Sequence, residues 1–598
     1  MNYLRLSMWA AGLLFSLAAW AQDGIASDYA EPDDGIPADT ASWQALGTDL
    51  CFSWASKDVL YQKRTAPALR PTADTLYHAW RGERLGVQAV LFSRLPSGPL
   101  RLRLRGDGKL LRGSSARFVN YVLSSDFRGC GVADTNARAF LVPDVIDRET
   151  AKPLEACTTR PVWCTIEVPR TLKAGRYALS LDLLAPGNRV LKTLTLQLVV
   201  SKHTLPEPKD YQFNLNYWMQ PYAVSRYYGL KPWSREHLDA LRPYMQLLAR
   251  AGQGTATAIL FYEPWGEQSN DKFEPMVETT RHADGTWSYD YAVFDRWITF
   301  LESCGIDRQI NCFSMVPWDM SFRYRDAVTG QYAYLKTKTS TPEYKALWTS
   351  FLQSFARHLR QKGWYEKTVI AMDERSLEAM RDAYRVAQEA VPGIKMSLAG
   401  TYHQELVDKM YDYCIGWGER FTPEDLALRN GRGYVSTTYT CCSTPEPNIC
   451  SNNLPVEAVY LPLYCVANGF NGYLHWSWMN WTDDPLRDTR FRLFSPGDTY
   501  LVYPGARSGV HFERFIEGVQ AAEKVRVLRE EYTAKGDLEA LNWINQCLRV
   551  FSSHIVDAPD LTTSMVNQFE EVLNLSPMRP GAGTLPPATP APDGQNAE

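Results

Sequence analysis

The sequence lacks an excess of charge of either sign, and it has few histidines. Its 598 residues include 63 basic and 67 acidic side chains, for a formal net charge of −4. The sequence therefore lacks the excess of basic residues that is typical of nucleic-acid-binding proteins. There are nine His residues, and the neighbouring Cys441, Cys442 and Cys450 have no His at ligand spacing, which argues against a zinc site. We predict no metal and no cofactor, and no internal repeat of solenoid length is visible.

Long apolar runs are also missing beyond the N-terminus. Met8 to Leu17 form one short run after Arg5, too short to cross a bilayer. Small residues at Ala19 and Ala21 then offer a cleavage site, so the pattern predicts a signal peptide at 1–21 that is cut after Ala21. The first Cys is Cys51, which argues against lipid attachment at the N-terminus. We expect a periplasmic or secreted protein.

Aromatic residues are abundant, with 19 Trp and 32 Tyr. Such rings can line clefts that stack on sugars, but a large hydrophobic core also collects them. The composition favours carbohydrate binding without deciding the matter.

All twelve cysteines follow the predicted signal peptide, so disulfides are possible in an oxidising compartment. Spacing cannot fix their connectivity. The pairings considered are within Cys130, Cys157 and Cys164, between Cys304 and Cys312, and between the Cys441-Cys442 pair and Cys450. The last is expected to staple a loop; the alternative is a rigid loop that holds Tyr439 at a site.

The chain divides by pattern into several units. Short alternating strands precede a proline-rich boundary near 203–210, and strands then alternate with amphipathic helices. The predicted organisation is a flexible leader at 22–47, an all-β sandwich at 48–205, a (β/α)8 TIM-type barrel at 206–535, C-terminal helices at 536–576 and a disordered tail at 577–598. The eight predicted barrel strands are 213–218, 256–262, 309–315, 368–372, 395–399, 413–417, 433–439 and 472–478. The predicted helices are 234–251, 289–304, 341–362, 376–391, 404–411, 422–430, 454–467 and 511–532.

Two adjacent acids, Asp373 and Glu374, follow the fourth predicted strand directly. An α/β barrel carries its chemistry at this end of its strands. Two neighbouring carboxyl groups can also take different protonation states, so that one is protonated while the other is ionised. The alternative is a solvated strand end with an acidic helix cap.

Aromatic side chains recur at the other strand ends, as expected for a sugar-binding cleft. Residues selected as substrate-binding candidates are Tyr439, Trp417, Trp476, Trp478, Tyr402, His403 and Trp218. Most glycosidases place two carboxylates on opposite sides of the sugar, which adjacent residues cannot easily do. Adjacent acids suit substrate-assisted catalysis, in which the 2-acetamido oxygen of the sugar attacks its own anomeric carbon. Asp373 would orient the acetamido group, and Glu374 would act as general acid and then base.

The sequence resembles glycoside hydrolase family 123. The resemblance lies in GFNGYLHWSWMNW at 469–481, GDTYLVYPG at 497–505, ERFIEG at 513–518, YTCC at 439–442 and PVWCTIEVP at 161–169. It implies a β-sandwich with a barrel and a retaining β-N-acetylgalactosaminidase that uses adjacent Asp and Glu, here Asp373 and Glu374. The chain departs from the family pattern at Arg375 (usually Pro), His475 (usually Arg) and Trp478 (usually Tyr), and strand-eight residues can contact sugar hydroxyls.

We therefore predict an exo-acting glycosidase that removes terminal β-linked N-acetylgalactosamine from glycans through an oxazolinium intermediate. Two alternatives stay open. One is a non-catalytic glycan-binding protein with a degenerate barrel. The other is a glycosidase that acts on another sugar with a separate nucleophile, for which Glu263 is the candidate.

Overall fold

The computed structural model describes residues 28–131, 136–553 and 559–576. The predicted signal peptide at 1–21 and the predicted tail at 577–598 lie outside the described residues. Within them, no helix is long and apolar enough to span a membrane.

The described part of the predicted leader packs against the body of the protein. Helix α1 (Thr40–Gln44) carries Trp43, which is buried and donates its indole N–H to the Arg64 carbonyl at 2.8 Å. Tyr29 is buried as well, with its hydroxyl donating to the Tyr121 carbonyl at 2.7 Å. The prediction of a flexible segment was wrong for 28–47. The segment is mostly polar, but its two aromatic rings bury enough apolar surface to hold it against the body of the protein.

Ten strands follow and form two five-stranded sheets. They are β1 (Leu50–Ala55), β2 (Asp74–Arg81), β3 (Arg84–Ser93), β4 (Ser97–Arg105), β5 (Ser115–Ser125), β6 (Ala139–Ile146), β7 (Ala151–Leu154), β8 (Thr158–Glu167), β9 (Gly175–Leu184) and β10 (Val190–Thr204), with the short helix α2 (Gly108–Leu111) after β4. The sheet orders are β1-β3-β8-β5-β6 and β2-β10-β9-β4-β7. Alternate residues of β10, such as Leu194, Leu196 and Leu198, enter the shared core, which is the period expected of a strand with one buried face.

Eight parallel strands form the central sheet of the second unit. They are β11 (Asn214–Tyr217), β12 (Thr255–Ile259), β15 (Gln309–Phe313), β18 (Thr368–Met372), β19 (Met396–Gly400), β20 (Asp412–Gly416), β21 (Val435–Tyr439) and β22 (Gly472–His475). The sheet order is β11-β22-β21-β20-β19-β18-β15-β12. A single bridge, Leu215 with Gln253, spans the seam beside β12. The barrel is therefore nearly closed.

Further strands lie in the connections of the barrel. The strands β13 (Glu278–Arg281), β14 (Trp287–Asp290), β16 (Ser321–Asp326) and β17 (Tyr332–Lys336) form one sheet, and β23 (Val502–Tyr503) pairs with β24 (Arg507–Ser508).

Within the described residues, every connection between successive barrel strands contains a helix except the connection from β19 to β20. They are α3 (Tyr222–Tyr228), α4 (Arg235–Arg250), α5 (Ala292–Cys304), α6 (Pro342–Lys362), α7 (Leu377–Ala390), α8 (Pro423–Gly431), α9 (Pro455–Ala467) and α10 (Val510–Lys535), followed by α11 (Leu538–Leu548) and α12 (Pro559–Leu575). The predicted helix at 404–411 was wrong, since this stretch holds a 3-10 turn at Gln404–Leu406. The connection from β19 to β20 spans only residues 401–411, whereas the connection from β20 to β21, which holds α8, spans 417–434. The shorter connection leaves little chain for a helix and the turns on either side of it. The barrel thus departs from a regular (β/α)8 pattern.

Helix α10 joins the barrel to the sandwich through buried ion pairs. Lys57 lies 2.8 Å from Glu517, Asp58 lies 2.8 Å from Arg514, and Glu83 lies 2.7 Å from Lys524. Each pair has one member on α10 and one in the sandwich. Breaking such a buried pair leaves an uncompensated charge, so the two units are fixed to each other.

A disulfide between Cys130 and Cys442 also links the two units, across 312 residues of sequence. The predicted local pairings were wrong: Cys157, Cys164, Cys304, Cys312, Cys441 and Cys450 are free thiols. Spacing failed because Cys130 and Cys442 meet only after the sandwich docks on the barrel.

Candidate active site

The adjacent acids lie where β18 ends. Val369 to Met372 are fully buried, Asp373 is 6% exposed, and Glu374 reaches solvent. Helix α7 is capped by Ser376, whose hydroxyl oxygen accepts from the Ala379 N–H at 3.3 Å. The acids are therefore not the cap of this helix.

Asp373 sits in an apolar, aromatic surrounding with one cation beside it. Burial raises the pKa of Asp373 from 3.8 to about 7, with Arg375 and the indole N–H groups of Trp318 and Trp265 lowering it and Glu374 raising it. The Arg375 Nη2 lies 3.4 Å from Oδ1 of Asp373. An acid whose pKa lies near neutrality in a cleft is a candidate for function.

Both acids line a cavity of about 110 Å³ at the mouth of the barrel. Its walls are mostly aromatic and apolar: Trp218, Gln268, Trp318, Asp373, Glu374, Ala399, Tyr439, Cys441, Cys442, Leu474, Trp476 and Phe494. Of the predicted site residues, the structure brings Asp373, Glu374, Tyr439, Trp476 and Trp218 together here.

Tyr439 contacts the acid pair directly from the end of β21. Its hydroxyl donates a hydrogen bond to Oε1 of Glu374. Burial and the neighbouring Glu374 raise the pKa of Tyr439 above its usual range, so that this hydroxyl keeps its proton and acts as a donor.

Trp476 is held by a buried acid that sequence analysis missed. Its indole N–H donates to Oδ2 of Asp498 at 2.8 Å, and its ring meets Phe494 edge-on at 5.1 Å. Burial raises the pKa of Asp498 to about 7. Asp498 lies in the conspicuous GDTYLVYPG segment, and an acid within such an apolar segment was the available signal.

Two further indole rings, those of Trp218 and Trp318, line the cavity. Trp218 and Trp265 stack with ring centres 5.0 Å apart, and Trp318 is 45% exposed at the rim. Trp265 and Trp318 also stand at strand ends, but they were not selected as substrate-binding residues.

Four predicted site residues do not line the cavity. Trp478 is fully buried against Phe512, with ring centres 4.5 Å apart. Trp417 packs on Tyr464 at 3.9 Å between ring centres. Both residues lie beyond the ends of their strands, since β22 ends at His475 and β20 at Gly416, and there the path of the loop decides which side chains face the cavity.

Tyr402 and His403 are likewise taken up by the turn after β19. The Tyr402 hydroxyl donates to Asp425 at 2.8 Å, at the start of α8. The backbone N–H of His403 donates to the Tyr413 hydroxyl at 2.7 Å. These bonds anchor the turn, and neither residue lines the cavity.

Two further ionisable residues, His475 and Glu263, do not line the cavity. Burial lowers the pKa of His475 to about 4, and its Nε2 lies 2.8 Å from the Asp498 carbonyl, so it is a neutral structural residue. Glu263 lies outside the cavity lining and accepts from the Phe273 N–H. The geometry therefore does not support Glu263 as a nucleophile.

No cluster of three or more His, Cys, Asp or Glu side chains suited to a metal ion occurs in the described part of the chain. The acid pair, its tyrosine donor and the aromatic walls are the chemical resources of this cavity.

Comparison with known proteins points to one family. Residues 218–528 match the model of the glycoside hydrolase 123 catalytic domain, and residues 54–185 match that of the glycoside hydrolase 123 N-terminal domain. No curated protein matches this chain.

Among solved structures, the fold is similar to that of a family 123 glycoside hydrolase from Clostridium perfringens, studied for glycolipid glycan hydrolysis. The TM-score is 0.80 at 23% identity, over 88% of this chain and 98% of that chain. A β-glucuronidase from Parabacteroides merdae aligns with a TM-score of 0.27 at 9% identity, over 73% of this chain and 52% of that one. The family models together with the whole-chain fold show that this protein is a glycoside hydrolase of family 123.

Proposed function

We propose that the protein is a retaining exo-glycosidase that removes terminal β-linked N-acetylgalactosamine by substrate-assisted catalysis. One observation carries this proposal: two adjacent carboxyl groups, Asp373 and Glu374, enter the same cavity from one strand end. They cannot easily stand on opposite faces of a sugar as a nucleophile and an acid do. A nucleophile that belongs to the substrate resolves this arrangement.

In the first step, the acetamido oxygen forms a bond to the anomeric carbon as the glycosidic bond breaks. Asp373 accepts the acetamido N–H and offsets the positive charge of the forming oxazolinium ring. Glu374 gives its proton to the departing oxygen. Burial raises the pKa of Asp373 to about 7 while Arg375 favours its ionised form, so the orienting carboxylate forms as the pH rises through about 7.

In the second step, water attacks the anomeric carbon and Glu374 takes the water proton. The ring opens, the acetamido group is restored, and the sugar leaves with its original anomeric configuration. Two displacements on one carbon give retention.

Tyr439 would serve both states of Glu374. Its hydroxyl donates to Glu374 in the structure, and a rotation of this hydroxyl would redirect the bond to the acetamido oxygen of a bound sugar. Glu374 would then be free to hold the proton that it transfers. Trp476 and Trp218, on the cavity walls, would enclose the acetamido methyl group and one ring face.

The small, aromatic-walled cavity at the acid pair supports binding of a single terminal sugar. The Clostridium perfringens relative is described in terms of glycolipid glycans, which supports a glycan as substrate. The Cys130–Cys442 disulfide supports a periplasmic or secreted location, because such bonds persist in oxidising compartments.

The test uses paired aryl β-N-acetylgalactosaminide and β-N-acetylglucosaminide substrates with a thiazoline inhibitor. Glu374→Gln should lower kcat by about 10² to 10⁴ on a poor leaving group and by less on an activated one. Asp373→Asn should lower kcat on both. Glu366→Gln is the matched control, since Glu366 is exposed beside the opposite end of β18.

Full activity of both acid variants, or activity insensitive to the thiazoline, would contradict the mechanism. Binding of glycans without any product would favour a glycan-binding protein instead. A faster rate on the glucosaminide would replace the sugar assignment and keep the mechanism.

A further inference from the structure

Arg375, the residue that follows the acid pair, is tied to four groups at the mouth of the barrel. Its Nε donates to the Val316 carbonyl at 2.9 Å, and its Nη1 donates to the Glu374 carbonyl at 2.6 Å. Its Nη2 lies 3.4 Å from the Asp373 carboxylate, with 11% of the Arg375 side chain exposed. The guanidinium carbon lies 3.8 Å from the ring centre of Trp318.

Trp318 stands between two spaces. One is the small cavity that holds the acid pair, and the other is a groove of about 780 Å³ outside it. Glu374 lines both of them as well. The position of the Trp318 ring therefore sets the boundary between the space for a terminal sugar and the space on the outer side of the acid.

The Trp318 ring is 45% exposed, and the Arg375 guanidinium covers one of its faces. The backbone holds the start of this loop, since the Trp318 N–H donates to the Pro264 carbonyl at 3.0 Å. Arg375 adds a second fixed point, because it binds the loop at Val316 and stacks on Trp318 at the same time. A stacked guanidinium holds an otherwise solvent-exposed ring in place.

We propose that Arg375 is a positioning residue that fixes Trp318 as the wall between cavity and groove and keeps the Asp373 carboxylate oriented. This inference rests on the proposed function for its kinetic consequences. Only a planar group with several donors in fixed directions can meet Val316, Glu374 and Asp373 while stacking on a ring. A Lys at this position keeps the charge but loses the fork and the stacking.

The charge has its own consequence for Asp373. The groups that act on this carboxyl are Arg375 and Glu374 as charges and Trp318 and Trp265 as N–H donors. Of these, Arg375 is the one cation, and it lowers the pKa of Asp373. Its removal should move the acidic limb of the pH–rate profile upward.

The experiment compares Arg375→Met, Arg375→Lys and wild type, with Arg381→Met as the matched control. Arg381 lies on α7 and pairs with Glu405 at the surface. Arg375→Met should shift the acidic limb upward by about one pH unit and raise KM. Arg375→Lys should restore the acidic limb but keep the raised KM, and Arg381→Met should match wild type.

A second readout follows Trp318 without any substrate. Acrylamide quenching is measured with and without Trp318→Phe in wild type and in Arg375→Met, and each difference isolates the emission of Trp318. Quenching of this ring should increase about twofold or more when the stacked cation is lost. Melting curves verify that each variant is folded.

Wild-type quenching of Trp318 together with wild-type kinetics in Arg375→Met would overturn the proposal. Trp318 quenching that stays unchanged in Arg375→Met while KM rises would also overturn it, since the wall would then not depend on Arg375. If the wild-type protein does not hydrolyse the aryl substrates, the proposed function fails, and the quenching result still decides the role of Arg375.

Discussion

Replacing Asp373 with Asn should make the protein more stable at alkaline pH while removing its activity. The Asp373 carboxyl group is held in a buried site where its pKa is raised from 3.8 to about 7. Below pH 3.8 the group is protonated in both the folded and the unfolded chain, so it has no pH-dependent effect. As the pH rises towards 7, the unfolded chain ionises first and the folded state loses stability.

The magnitude follows from the pKa shift. Each pKa unit corresponds to about 1.4 kcal/mol, so the shift from 3.8 to about 7 amounts to roughly 4 kcal/mol above pH 7. An Asn side chain does not ionise, so its effect on stability does not change with pH. The difference in unfolding free energy, Asp373→Asn minus wild type, should therefore grow by roughly 4 kcal/mol from pH 4 to pH 8. For a unit the size of this barrel, the melting temperature should change by about 5 to 8 °C.

The assay is a set of melting curves for both proteins at pH values from 4 to 8. The pKa of about 7 already includes the effect of Arg375 on the carboxylate, so the trend of the difference with pH carries the result. Asp408→Asn is the control, since Asp408 is exposed and forms no ion pair among the described residues. A difference in unfolding free energy that stays flat or shrinks towards pH 8 would show that the folded protein does not raise the pKa of the Asp373 carboxyl group.

Three further predictions concern the walls of the cavity. Cys130→Ser removes the disulfide between the two units, which closes a loop across 312 residues of sequence. The variant should lose up to roughly 5 kcal/mol of unfolding free energy. Denaturant unfolding of the variant and of wild type, each with and without reductant, measures this loss. Asp498→Ala leaves the Trp476 indole N–H without its acceptor and should raise KM, whereas Asp498→Asn keeps an acceptor and should restore KM; equal KM values would contradict the role of Asp498. Tyr439→Phe removes the hydrogen bond to Glu374 and should lower kcat by about tenfold or more in steady-state assays, and an unchanged kcat would show that this hydroxyl takes no part.

The position of the acid pair could be predicted from local pattern alone. An apolar run that ends in Asp373 and Glu374 specifies a buried parallel strand with polar groups at its carboxyl end. The surrounding strands have the same signature, which explains why all eight were recognised. Local sequence was sufficient here because burial and strand direction act within a few residues.

Other features depend on contacts that no local pattern contains. Helix α10 buries Glu513, Arg514 and Glu517, which an amphipathic pattern assigns to solvent, because their partners belong to the sandwich. Cys130 and Cys442 meet across the same interface. Trp476 lines the cavity and Trp478 does not, although both follow the end of β22, because the loop beyond the strand decides where these side chains lie.

The outer groove and the position of Arg375 also arise from tertiary structure. In the sequence, Arg375 is a departure from the family pattern next to the acids. In the fold it contacts the loop of Val316 and Trp318 as well as Asp373. Its contribution could not be inferred from spacing, since its partners lie on a different strand connection.

In the proposed mechanism, the acetamido group of the substrate is the nucleophile, and Asp373 and Glu374 assist it. The most direct measurement is kcat/KM for aryl β-N-acetylgalactosaminides whose acetyl group carries from zero to three fluorine atoms, since fluorine withdraws electrons from the attacking oxygen. We expect kcat/KM to fall with every fluorine, by about tenfold or more in all, and we expect no cleavage of the aryl β-galactoside that lacks the acetamido group. Equal rates across the series, or cleavage of the galactoside, would contradict it.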